Sequence, residues 1–208
     1  QIGGYSDSQG LQGTNRGIYD YNTFSTDEAM LPIRGGDWYD GGFWQNLYHH
    51  EWTSTDLPLL NTWNYLYGSV SLCNHALYEI DQHKQLLTDE QYKEYTAEAR
   101  GLRTLFYFYI MDMWGNVPLV MQEGVTLEDV KQSTRKKVTT TLINELLAAI
   151  PYLPNAHSNH EGNYYGRFTR PVAYFLVAKI LLNHEVYLHD DTLTFDINGQ
   201  KLKALETC

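Results

Sequence analysis

Basic residues are scarce in this chain and do not cluster. Fifteen Lys and Arg stand against 25 Asp and Glu, a formal net charge of −10. A phosphate backbone is held by grouped Lys and Arg, so the composition argues against nucleic acid as a partner. The single dense basic run, Arg135-Lys136-Lys137, is short and reads as a solvated helix start. Cysteine is scarcer still: Cys73 and Cys208 lie far apart, with no CxxC and no His-Cys cluster. That excludes a disulfide framework and a thiolate metal site, and leaves Cys73 as a small hydrophobe on an apolar helix face. No apolar run approaches the roughly 20 residues that span a bilayer. A signal peptide is lacking too, but the chain opens at Gln1 and stops at Thr207-Cys208, in what reads as the middle of a helix. It is therefore expected to be the N-terminal part of a longer protein, and the missing targeting segment carries no weight.

Catalytic motifs are missing as well. There is no GxSxG, no phosphate-cradling loop and no dinucleotide fingerprint; Gly35-Gly36 and Gly41-Gly42 are turn glycines, not a strand-to-helix loop. Asp27, Glu28, Asp37 and Asp40 could pair as the carboxylates of a glycosidase, but only a measured separation would make that a signal. His49-His50-Glu51 lacks the one-turn spacing of HExxH, and His184 and His189 are five apart, wrong for two ligands on one helix face. Asp190 and Asp191 with loop carbonyls leave a calcium site open as an alternative, since calcium takes several oxygens from a flexible loop. The expectation is a non-enzyme without cofactor or metal, with a carbohydrate-active hydrolase as the third-ranked function.

What the chain does have is aromatic residues in polar company: 17 Tyr and 5 Trp. These side chains join a flat apolar face to a hydrogen-bonding edge, which suits a sugar ring with C–H groups on its face and hydroxyls around its rim. Residues 1–57 are loop-rich, punctuated by glycine and without a sustained apolar period. Their densest stretch, RGGDWYDGGFWQNLYHHEW (34–52), holds Arg34, Asp37, Trp38, Tyr39, Asp40, Trp44, Tyr48 and Trp52. No helical face claims Trp38, Tyr39 or Trp44, and loops of this chemistry are commonly functional surfaces. Trp63, Tyr67, Tyr107, Phe108 and Tyr109, in contrast, lie on helices and are expected in the core.

The helical period begins at Leu59. Trp63, Leu66, Tyr67, Val70, Cys73, Leu77 and Ile80 share one face. Thr88 and Gln91 form a capping box that opens a second helix. Its expected core face is Leu102, Leu105, Phe106, Tyr109, Ile110 and Met113, and Trp114-Gly115-Asn116 with Pro118 ends it in an extended exit, Val117 to Val120. A helix over 134–150 buries Val138, Leu142, Leu146 and Ile150 and stops at Pro151 and Pro154. After a polar loop (155–167), Thr169 caps a helix with Pro171 in its first turn and Val172, Phe175, Ala178 or Lys179, and Leu182 as its face. A last helix begins near Gly199. The fold class is all-α, in sequential helix pairs able to stack as an α-solenoid, with no fixed 34-residue period legible. A single domain over 1–208 is expected, with 1–57 as a loop-rich ligand face and 58–208 as the helical framework.

AEARGLRTLFYFYIMDMWGNVPLV (97–120) resembles the signature helix and G-x-V-P-L exit of the SusD/RagB family of surface nutrient-binding lipoproteins, through Ala97, Glu98, Arg100, Leu102, Arg103, Gly115, Val117, Pro118 and Leu119. Thr104 replaces the usual Ala. Four further stretches are similar to that family in the same order. They are STDEAMLPIRGGDWYDGG (25–42), VSLCNHALYEID (70–81) with Asn74, LINELLAAIPYLP (142–154) and GRFTRPVAYFLVAKILLN (166–183).

The resemblance implies tetratricopeptide-like helix pairs carrying an irregular ligand face. It implies a lipid-anchored protein on the outer-membrane surface of Bacteroidetes-type bacteria that captures oligosaccharides and hands them to a SusC-like TonB-dependent transporter. The anchor's cysteine would precede Gln1. Arg100 and Arg103 are expected in structural ion pairs. Aligned without gaps on Ser25-Thr26-Asp27-Glu28, the arginine that binds starch in one family member falls on Arg16, its acidic residue on Ser8 beside Asp7, and its aromatic residue on Leu31, a mismatch. Trp38 would then supply the stacking face from a differently shaped loop. The ligand-binding set is Arg16, Arg34, Asp37, Trp38, Tyr39, Asp40 and Trp44. The rival class is a transporter-docking scaffold that captures another nutrient, such as peptides.

Overall fold

The computed structural model describes residue 11 and residues 16–188. The expectations at Ser8, Asp7, His189, Asp190-Asp191, the helix near Gly199 and both termini lie outside them. The chain forms two compact units, Gln1–Gly68 and Ser69–Cys208.

In the first unit, helices α1 (Ile18–Phe24) and α2 (Phe43–His49) flank the glycine-aromatic loop. Sequence periodicity did not reveal them, because seven residues make two turns and leave no room for a repeat. Asp20 Oδ2 accepts from Gly17 N (3.2 Å) at the start of α1. Helix α3 (Leu57–Gln82) begins here, with Asp56 before it and Pro58 in its first turn, a place where proline's missing N–H costs nothing. The core of this unit holds Ile18, Tyr21, Trp44, Leu47 and Leu66.

In the second unit, α4 (Asp89–Trp114) is capped as expected: Thr88 Oγ1 accepts from Gln91 N and the Gln91 side chain returns to Thr88 N. Its buried residues include Phe106, Tyr107, Phe108, Ile110 and Met111. Leu102, Leu105, Tyr109 and Met113 are only half-buried, which corrects the single face expected from their spacing. The helix is covered on more than one side, so one stripe could not describe it. Gly115 (φ +73) ends it, and a Cβ there would also meet Arg135 Nη2 at 2.8 Å. The exit strand β1 (Val117–Pro118) pairs antiparallel with β2 (Gln132–Ser133). Thr134 Oγ1 caps α5 (Arg135–Ala149) by accepting from Lys137 N.

Helix α6 (Arg170–Leu182) departs from expectation. Ala173, Leu176, Val177, Ala178, Ile180 and Leu181 are buried, whereas Phe175 and Leu182 are 62% and 57% exposed. Apolar residues surround this helix, so spacing alone could not choose its inner face. Thr169 precedes α6, but its side chain makes no capping bond. Helix α7 (His184–Leu188) follows, with Tyr187 Oη donating to Asp112 Oδ1 at 2.6 Å.

The motif residues meet one another in this second unit. Arg100 and Arg103 both donate to Glu145 on α5, at 2.7 and 2.8 Å. Arg103 Nη1 also donates to Asn74 Oδ1 (2.7 Å) and to the Met121 carbonyl (2.6 Å). Asn74 Nδ2 in turn donates to the Val120 carbonyl, as does Tyr107 Oη. Arg167 pairs with Glu94 and Glu98. Arg170 donates to the carbonyls of Ile150, Pro151 and Leu153, where the chain leaves α5. Carbonyls at a helix end have no partner within the helix, and these bonds satisfy them. The family-like motifs of this unit are thus the polar fastenings of its frame, whereas the motif at 25–42 lies in the first unit.

Candidate ligand face

The loop between α1 and α2 is built on backbone that few side chains adopt. Trp38 has φ +59 and Asp40 φ +40. For a residue as bulky as Trp this left-handed conformation is an outlier held by its surroundings, of the kind that concentrates at ligand sites. A short two-residue turn sets it up: Arg34 and Asp37 exchange backbone hydrogen bonds (3.1 and 3.5 Å). The chain then closes through a 3₁₀ turn, Asp40–Gly42, into α2. Two longer ties fix the loop's flanks. Gln45 Nε2 donates to the Leu31 carbonyl (2.9 Å), and a His50 ring nitrogen lies 2.7 Å from the Ser25 carbonyl oxygen.

The expected site residues divide into two groups. Trp38 and Tyr39 are 53% and 54% exposed, and Arg34, Asp37 and Asp40 are exposed beside them. Trp44 is different: it is 2% exposed, and Phe24, Phe43 and Trp38 meet its ring edge-to-face at 5.2 to 5.9 Å between centroids. Its indole N–H donates to Asp40 Oδ2 at 2.7 Å. The expected ligand-facing role does not suit so enclosed a ring. Trp44 is the floor that carries Trp38 and orients Asp40. Buried Trp with a satisfied N–H belongs in a core, and the first helical turn of α2, too short to read, is what turns it inward.

Beside this platform lies an open groove of about 480 Å³, lined among others by Arg16, Asp40, Asn46, Thr55, Asp56 and Asn61. Arg16 reaches it from a left-handed backbone (φ +54), and the Tyr21 hydroxyl donates to its carbonyl. Asp56 Oδ2 accepts from Thr53 N at 2.7 Å. Sequence reading found Arg16 and Asp40 but missed Asn46, Thr55, Asp56 and Asn61. Thr-Asp-Leu-Pro before an apolar period was a legible helix start, and would have placed Asp56 at a turn next to the aromatic loop. Leu31, where the starch-binding alignment needs an aromatic, is half-buried. Among the described residues no group of three His, Cys, Asp or Glu side chains could hold a metal ion, and no helix is long and apolar enough to cross a membrane.

The SusD-like family model described as "starch-binding associating with outer membrane" matches residues 13–182. The chain belongs to the SusD-like family. A SusD-like protein of Bacteroides ovatus is 28% identical over 174 residues, 81% of this chain and 30% of that protein. Among solved structures, the surface glycan-binding protein A of Bacteroides uniformis superposes with a TM-score of 0.74 at 24% identity, covering 98% of this chain and 41% of that one. The surface glycan-binding protein A of Bacteroides thetaiotaomicron, in complex with laminarihexaose, superposes at 0.71 and 21% identity, over 91% and 36%. These superpositions show a shared, mainly helical fold. The chain spans under a third of the length of the curated SusD-like relatives it matches.

Proposed function

We propose that this SusD-like chain belongs to a non-catalytic glycan-capture protein on the outer-membrane surface, which delivers oligosaccharides to a SusC-like TonB-dependent transporter. One observation carries the binding half of that reading: the exposed Trp38, held at positive φ with its ring on the buried Trp44, stands beside the exposed Tyr39 and is continuous in sequence with a polar groove. An exposed indole that the fold holds in an unfavourable conformation is poor packing and a good platform. Arg34, Asp37 and Asp40 stand where they can exchange hydrogen bonds with ring hydroxyls, and Arg16 extends the set into the groove. The relatives support the same reading, since two of the structures that share the fold are named as surface glycan-binding proteins. Delivery to a transporter and anchoring by lipid rest on family membership.

The test is a glycan panel read by calorimetry on the wild-type chain and on Trp38→Ala. Loss of at least tenfold in affinity, with the helical circular-dichroism signal unchanged, is the expected outcome. Unchanged affinity for every bound oligosaccharide removes Trp38 from the site. Silence across the panel, together with co-purification with a barrel protein, would favour the docking-scaffold alternative. Release of reducing ends from a polysaccharide would revive the hydrolase.

A further inference from the structure

The glycan reading leaves open which glycans are admitted, and the charge of the first unit bears on that. From Gln1 to Gly68 the chain holds eight acidic residues and two arginines, and its first lysine is Lys84. Two of the carboxylates, Asp40 and Asp56, line the groove with Arg16. Each is anchored through Oδ2, Asp40 by the Trp44 indole and Asp56 by the Thr53 amide, both at 2.7 Å. No hydrogen bond among the described residues uses Oδ1 of either one. Ionised carboxylates only accept, so this rim demands donors from whatever lies in the groove. Neutral oligosaccharides bring several hydroxyl donors on each sugar unit. A uronate or a sulfate ester replaces a donor with acceptors and adds charge of the repelled sign.

One feature opposes this. The start of α3 lines the groove at Leu57 and Pro58, and a helix N-terminus favours anions. Asp56, the residue before α3, already places a carboxylate there. Among the described residues, Arg16 is then the one positive side chain lining the groove, against two negative ones. We infer that this site selects neutral oligosaccharides and rejects uronate-bearing or sulfated ones. The inference rests on the glycan reading above and fails separately from it.

Calorimetry on the full chain at low salt would compare laminarihexaose, maltohexaose and xylohexaose with oligogalacturonate and sulfated galactan fragments of matched length. At least one neutral ligand binds, every anionic one is at least tenfold weaker, and added NaCl narrows the gap by screening. Asp56→Asn keeps an acceptor for the Thr53 amide and removes the charge, so the gap narrows several-fold. Asp37→Asn, on the exposed turn beside Trp38, is a second variant that leaves the α3 start intact and narrows it in the same direction. Anionic ligands bound as tightly as neutral ones overturn the inference while glycan binding stands. An unchanged gap in both folded variants also overturns it. Binding to neither class overturns the glycan reading on which it rests.

Discussion

Two tryptophans six residues apart have opposite fates, and their neighbours explain why. Trp38 lies in a turn of Gly and Asp with no helix to bury it, whereas Trp44 is the second residue of α2 and points into an aromatic nest. Composition made the two look alike, because the nest is assembled by Phe24, Phe43 and Trp38 across a loop whose path no periodicity records. Their substitutions should separate cleanly. Trp44→Ala leaves a large cavity and an orphaned Asp40, and should cost about 3–5 kcal/mol in urea unfolding of the cooperative transition that includes this loop. Trp38→Ala should leave stability within about 0.5 kcal/mol, as exposed substitutions do. Equal destabilisation by both would show that Trp38 is structural. A further contrast concerns Gly101 in α4. A Cβ added there would come within 2.3 Å of the Phe168 ring, and that ring is itself 2% exposed with no room to retreat. Gly101→Ala gains roughly 1 kcal/mol of helix propensity but overpacks the contact, so a net loss of about 1–2 kcal/mol is expected from thermal melts.

Among the elements, those with long periodic patterns and explicit end signals were legible. Helices α3, α4 and α5 were, and so was the Gly115 stop. What was lost was orientation wherever apolar residues cover the whole circumference, as on α6, and existence wherever a helix has only two turns, as for α1 and α2. The ion-pair expectation for Arg100 and Arg103 could be made from resemblance but not from spacing, because their partner Glu145 lies some forty residues on, in α5. That junction should govern the acid limb of stability. Burial alone would raise the Glu145 carboxyl, but hydrogen bonds and charge from Arg100 and Arg103 outweigh it and hold the group below its ordinary range. Its contribution is therefore present above the unfolded-state value near 4.5 and is lost as pH falls through the lower folded-state value. Glu145→Gln leaves Arg103 buried and poorly paired, and should cost on the order of 3 kcal/mol at pH 7. Urea midpoints measured at pH 7, 5 and 3 should show the variant and the wild type converging at the acid end. A constant gap would mean that Glu145 acts through shape and not charge.

Taken across the chain, four of the five stretches that made the family recognisable hold no residue proposed to touch a ligand; the fifth, residues 25–42, holds Arg34, Asp37, Trp38, Tyr39 and Asp40. Asn74, Glu98, Arg100, Arg103, Arg167 and Arg170 satisfy carbonyls and carboxylates inside the second unit. Trp38, Tyr39 and the groove residues belong to the first. Sequence carried the frame legibly because its fastenings need particular donors at particular places. A sugar platform needs only an exposed aromatic face and nearby acceptors, which many loop sequences supply. This division has a measurable consequence. A ligand that binds only the folded state stabilises it by about 2.7 kcal/mol at a hundredfold excess over Kd, and that gain slows exchange of amides whose opening also breaks the ligand contacts. Hydrogen exchange with saturating laminarihexaose, or with whichever neutral oligosaccharide binds, should therefore slow amides in residues 34–61. Amides of α4 and α5 around Arg103 and Glu145 should keep their rates, since their opening is set by core packing and the buried ion pairs. Protection centred instead on α4 and α5 would move the binding face away from the aromatic loop and onto the frame.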